Sequence, residues 1–360
     1  MSRLVQKTAL VGGLFLVAPM SVSAEKSAKG PNIGFAYKFE LANNDDGLNK
    51  DADADTPTTK WRLKELRIGF SGEAGPNAFY EVEINGANTG TTNTGIIDHA
   101  EFWLKPLKGL ELRIGNPKGL VYGWRQKLDG PMDYTASASA AHSPWGRAEA
   151  IQGSYNLGAG GTVTLQVARD VYDCTVDDQG VKTCVGYTKA EDSNTTAVEW
   201  VGDFGGIMPL IQYATYDTNH SSTFSLGARY KTKMLDIRLD HITDNRWRRL
   251  DATKEGEDVL TGMNLEGYVH IGDIEGFFMY STYNKEDDVL AGAKEPEVNN
   301  PGEFNDNKQL MALGGSFKGL SKSFKPFLVY VSESGDFTDK NGKDATFTET
   351  TIKFGVKGAW

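Results

Sequence analysis

Apolar and polar residues alternate one by one along almost the whole chain, in short segments cut by Gly, Asn, Asp and Pro clusters. A two-residue period puts successive side chains on opposite faces of a strand, so a chain written this way makes sheet with one apolar and one polar face. About 16 such segments follow one another, and no helix-period segment competes with them after the first 24 residues. An even count suits an antiparallel sheet closed on itself. The expected fold is all-β, a transmembrane up-and-down barrel.

Hydropathy alone would call the chain soluble, at a mean of -0.42, yet its 41 glycines and 11% aromatic residues suit a barrel that turns only half of each strand to lipid. A membrane helix needs about 20 apolar residues in a row, and none occurs beyond Ala24. Arg3 and Lys7 precede the apolar run Thr8 to Pro19, and Val22-Ser23-Ala24 supplies the small residues a signal peptidase reads. Residues 1–24 are therefore expected to be a removed export signal, and residues 25–360 a single barrel domain. The formal net charge of -10 repels nucleic acid.

Phe347 to Trp360 alternates to its last residue, with Ile352, Phe354, Val356 and Trp360 on one face and Lys353 and Lys357 on the other. Trp360 is read as the assembly signal that the barrel-assembly machinery of a bacterial outer membrane would recognise. Connection lengths support the same location. Glu73–Pro76, Pro106–Gly109, Gly158–Gly160, Asp203–Gly206 and Gly319–Lys322 are short, while the links between them are mostly long, as periplasmic turns and external loops are.

Parity assigns sides. Leu66, Ile68, Phe70, Leu110, Leu112 and Ile114 fall toward lipid, whereas Arg67, Glu81, Glu83, Glu101, Glu111, Arg113, Arg229, Lys231, Arg238, Lys353 and Lys357 fall inside. Charges of both signs on the inner face suit a wet pore rather than a packed core. A soluble β-sandwich is the competing fold; it seldom combines this strand number with an export signal.

The link from Pro117 to Gly146 far exceeds what a hairpin needs. It carries Tyr122, Trp124, Met132, Tyr134 and Trp145, too much apolar surface to leave in water, so this third long loop is expected to fold into the lumen and constrict it. Trp124, Arg125, Lys127, Asp129, Asp133 and His142 would then stand where passing solutes meet charge. The alternative is an ordinary external loop packed on its neighbours.

The run W-R-L-K-E-L-R-I-G-F-S-G at Trp61–Gly72, then F-Y-E-V-E-I-N at Phe79–Asn85, I-D-H-A-E-F-W-L at Ile97–Leu104 and L-E-L-R-I-G-N-P-K-G at Leu110–Gly119 resemble the phosphate-selective porin O and P type. The resemblance covers the N-terminal third. It implies a trimeric 16-stranded porin whose third loop enters the channel. Anion selectivity in that type uses lumenal arginines and lysines, whereas here arginines and carboxylates are interleaved.

Cys174 and Cys184 bracket a turn-forming Asp178-Gln179-Gly180, and an exported chain meets an oxidising compartment, so they are expected to form a disulfide. Their spacing is not that of a metal site, and Asp51 to Asp55 lacks the glycine and terminal glutamate of a calcium loop. No metal or cofactor is read from the sequence; the acidic run is an external loop facing lipopolysaccharide or water. The five histidines make no triad with a neighbouring acid, and G-x-S-x-G is absent. The expected function is passive diffusion of small hydrophilic solutes and ions, with anions such as phosphate among them. A hydrolase barrel and a plugged structural or receptor barrel are the alternatives.

Overall fold

The computed structural model describes residues 32–45, 58–85, 97–117, 119–120, 123–128, 149–169, 174–176, 182–184, 194–216, 222–251, 254–287, 305–319, 324–338 and 344–359. The expected signal at 1–24, Asp129, Asp133, His142 and Trp360 lie outside these residues.

The chain begins with β1 (Asn32–Asp45), β2 (Thr58–Gly75), β3 (Ala78–Asn85), β4 (Ile97–Leu107) and β5 (Leu110–Gly115). A short helix, α1 (Gly123–Leu128), precedes β6 (Ala150–Asn156) and β7 (Thr162–Arg169). A separate two-stranded hairpin, β8 (Cys174–Val176) and β9 (Lys182–Cys184), sets Cys174 opposite Cys184 in backbone register. Then come β10 (Asn194–Val201), β11 (Ile207–Tyr216), β12 (Ser222–Lys231), β13 (Leu235–Asp251) and β14 (Lys254–Ile271). The last four are β15 (Ile274–Asp287), β16 (Asn305–Phe317), β17 (Lys325–Thr338) and β18 (Asp344–Ala359).

All strands except β8 and β9 form one closed antiparallel barrel of sixteen, each pairing with its neighbour and β1 pairing with β18. Closure leaves no sheet edge, so the backbone groups of every strand find partners without water.

Burial along the strands is inverted relative to a soluble protein. On β12, Thr223, Ser225 and Arg229 are 0–5% exposed, whereas Phe224, Leu226 and Tyr230 are 40–49% exposed. The same alternation gives exposed Leu165 and Val167 against buried Thr164 and Gln166 on β7. Polar residues point inside and apolar residues outside. A surface of that kind is at equilibrium against hydrocarbon rather than water, which excludes the sandwich.

Three features depart from the sequence reading. The stretch from Asn245 to Leu260 reads as a connection between strands, but β13 and β14 run on as a long ladder whose register sets Arg246 opposite Asp258, Trp247 opposite Glu257 and Arg249 opposite Glu255.

Strict alternation is also interrupted on β2. The register shifts between Lys38 and Phe39, which pair with Glu65 and Leu63. A bulge adds one residue and turns the following ones over.

The inner wall is also not charged all round. Phe277 and Met279 of β15, Leu310 and Ala312 of β16, and Phe327 and Val329 of β17 occupy inward positions and are 0–5% exposed.

Candidate functional site: the lumenal wall and the third long connection

The chain leaves β5 at Gly115 and turns inward. Leu120 N–H donates to Gln166 on β7 at 3.2 Å, and Leu120 packs among Ala150, Ala168, Ala197 and Ala214 on the inner faces of β6, β7, β10 and β11. Small residues in that row leave the room which a leucine fills.

Helix α1 follows, with Trp124 and Leu128 seated on Val201 and Leu210. The Trp124 indole N–H reaches the Met208 carbonyl at 3.0 Å. Its ring lies under the Arg229 guanidinium at 5.5 Å. Backbone N–H groups of Gly123, Trp124 and Arg125 go to the side chains of Gln212, Asp240 and Asp240 respectively. Every one of these partners belongs to the inward row of its strand. The described part of the connection therefore lies against the inner wall from β7 to β14.

Of the charges expected to meet solutes, the two described, Arg125 and Lys127, pair with carboxylates of the wall. Arg125 is 1% exposed and pairs with Glu266 on β14; Trp124 is 2% exposed. This corrects their placement as groups lining the stream: an arginine closed off from water is held by a carboxylate, and an indole N–H by an acceptor. Lys127 is half-buried and pairs with Glu199 on β10.

Wall residues named by parity form two ion-pair networks. On one side Arg229 grips Asp236 through two nitrogens at 2.7 and 2.6 Å, Arg238 contacts Asp236 at 3.1 Å and Glu266 at 2.9 Å, and Tyr268 donates to Glu266 at 2.7 Å. With Arg125 this gives a continuous chain of alternating charge across β12, β13, β14 and α1.

On the opposite side, eight strands away in the barrel order from β13 to β3, Arg67 pairs with Glu83. Beside it Arg113 contacts Glu101 at 3.2 Å and Glu111 at 2.6 Å, and Lys105 lies 3.5 Å from Glu111. Glu81 stands on the same inward row as Glu83 and Glu101. Phe79 and Trp103 stack beneath these groups with centroids 5.9 Å apart.

A third cluster stands where the short turns are. Register sets Lys325, Lys357 and Lys38 side by side across β17, β18 and β1. Glu275 serves Lys318 at 2.6 Å, His270 at 3.4 Å and Lys357 at 3.8 Å. Lys231 is exposed at the end of β12, and Lys353 is in the inward row of β18.

Sequence reasoning missed Glu199, Gln212 and Gln166 as receivers of the third connection, although each is an inward polar residue by parity. It also kept His99 apart from acids, since Asp98 faces away; Glu101 is two residues on, shares the face, and lies 2.6 Å from His99.

No family model matches the chain, and no curated protein matches it. Among solved structures it is similar to the outer membrane channel DcaP of Acinetobacter baumannii, with a TM-score of 0.64 at 13% identity over 94% of this chain and 100% of that one. It is also similar to the anion-selective porin from Comamonas acidovorans, at TM-score 0.59 and 15% identity over 92% and 99%. The trimer form of the outer membrane protein OmpT of Vibrio cholerae gives TM-score 0.57 and 11% identity over 93% and 100%. These likenesses establish the fold as that of bacterial outer-membrane porins and channels. They do not single out the phosphate-selective type.

Proposed function

We propose that this chain is an outer-membrane porin, a water-filled channel for passive diffusion of small hydrophilic solutes and ions, with anions favoured. The observation that carries the reading is the closed barrel of sixteen strands with its polar face inside and its apolar face outside. A barrel of about 16 strands is too wide for side chains to fill, so a polar interior becomes an aqueous channel. The chemistry is physical rather than covalent: the wall replaces part of a solute's hydration and biases its charge. The described part of the third connection lies against the inner wall and takes up part of the section.

Preference for anions rests on the row Lys325, Lys357 and Lys38, with Lys318, His270 and Lys231 about the same mouth. Three lysines set side by side repel one another, a cost that Glu275, 3.8 Å from Lys357, relieves in part and a passing anion relieves further. Phosphate belongs among the candidates on its charge, in line with the sequence resemblance. We further propose cleavage of residues 1–24, a Cys174–Cys184 disulfide, a homotrimer, contact with lipopolysaccharide, and insertion by the barrel-assembly machinery. The apolar inward rows of β15 to β17 favour one second reading, a plugged barrel.

Planar-bilayer recording with the refolded, signal-free protein tests the reading. Steady ion current is expected, and its absence would favour the plugged barrel. In a salt gradient the reversal potential should report anion preference. Lys318→Glu combined with Lys325→Glu should move it toward cations, because screening over about 8 Å at physiological salt leaves only charges near the path effective. An unchanged potential would remove the lysine cluster from the account.

A further inference from the structure

Gly123 starts α1 at φ 76°, a left-handed conformation in which a side chain is strained, and a Cβ there would run into the Asp240 carboxyl group. Gly227 faces Asp240 across the β12–β13 pair, and a Cβ on it would stand 2.5 Å from Asp240 Oδ1 and 2.9 Å from the Trp124 ring. Two glycines, about a hundred residues apart in sequence, thus clear the space around one carboxylate.

Into that space Asp240 accepts the N–H of Trp124 on Oδ1 at 2.7 Å and the N–H of Arg125 on Oδ2 at 2.8 Å. Gln212 accepts the N–H of Gly123 at 2.8 Å and donates its own amide to Glu199 at 2.8 Å. The first four amides of a helix have no partner within it, and here the wall receives three of them. Asp240 is 1% exposed, and its removal leaves two buried N–H groups without their acceptor.

We propose that Asp240 is the latch of the channel: a positioning residue that fixes the third connection on the β10–β14 wall and, through it, the open cross-section. It does so without touching the solute. The proposal rests on the channel reading above.

Single-channel recordings of Asp240→Ala, Asp240→Asn and Gly227→Val test it, each after heat-modifiable migration has shown a folded barrel. Asp240→Ala should break the single open level into fluctuating substates differing by about twofold in conductance. Asp240→Asn removes the same charge but keeps one acceptor oxygen, and should fluctuate less. Gly227→Val leaves every charge in place, fills the carboxylate's space, and should reproduce the alanine variant. If Asp240→Ala does not fold, Gln212→Leu carries the test and should fluctuate in the same way.

Equal, steady shifts from the two Asp240 variants, with Gly227→Val silent, would overturn the latch and make Asp240 a lumenal charge only. Recordings of all the variants that match the wild-type chain would overturn it too. Absence of current from the wild-type chain would instead overturn the channel reading itself.

Discussion

Glu266→Ala should destabilise the folded barrel by about 3–5 kcal/mol, because breaking a buried ion pair from one side leaves the other charge buried with less to compensate it. Glu266 is 1% exposed and receives Arg125 of α1, Arg238 of β13 and the Tyr268 hydroxyl. Removing it takes one carboxylate from two buried guanidinium groups at once. Glu266→Gln keeps the shape and an acceptor oxygen, and should cost less, about 1–3 kcal/mol. Urea unfolding of the refolded protein in lipid vesicles, followed by tryptophan fluorescence, measures both. If Glu266→Ala left the midpoint where it was, the charged chain across β12 to β14 would be an ornament of the wall rather than part of its stability.

An arginine placed on the outer face should be nearly as damaging, and the cost should depend on depth. Leu226 lies midway along β12 and is 49% exposed on the outward row, so Leu226→Arg should cost about 2–4 kcal/mol, the range for a cation at the bilayer midplane. Phe204, 57% exposed at the short turn before β11, lies at the rim, where the same change should cost about 0–1 kcal/mol. The same unfolding experiment compares them. Equal costs at the two positions would mean that the apolar belt does not face hydrocarbon.

Much of the fold was legible because it is written locally. Two-residue alternation on β5 and β12 told which residues face lipid, and the neighbours' exposure agrees, with Leu112, Ile114, Leu226 and Tyr230 outward. Short connections marked one end of the barrel for the same reason, since turn residues act within a few positions of where they stand. Where a signal of this kind was weak, the reading slipped. The outer parts of β13 and β14 lack regular alternation, and only the backbone pairing of the two strands reveals them. The inward rows of β15 and β17 are apolar beside outward rows that are also apolar, as in F-F-M-Y and F-L-V-Y-V, so alternation vanishes and the inner side cannot be told from the outer.

The site divides along the same line. By itself the sequence determined the barrel, its even strand number, and the shared inward row of Arg67, Glu83, Glu101, Arg113, Arg229 and Arg238, since each follows from period and turn chemistry. Tertiary structure alone decided what those groups do. Arg125 and Glu266 stand 141 residues apart, and Trp124 and Asp240 stand 116 apart. No local pattern links them, because their meeting depends on how far round the closed wall the third connection travels before it finds Leu210, Gln212 and Asp240. That is set by shape and by unfilled donors, which arise only once the barrel has closed.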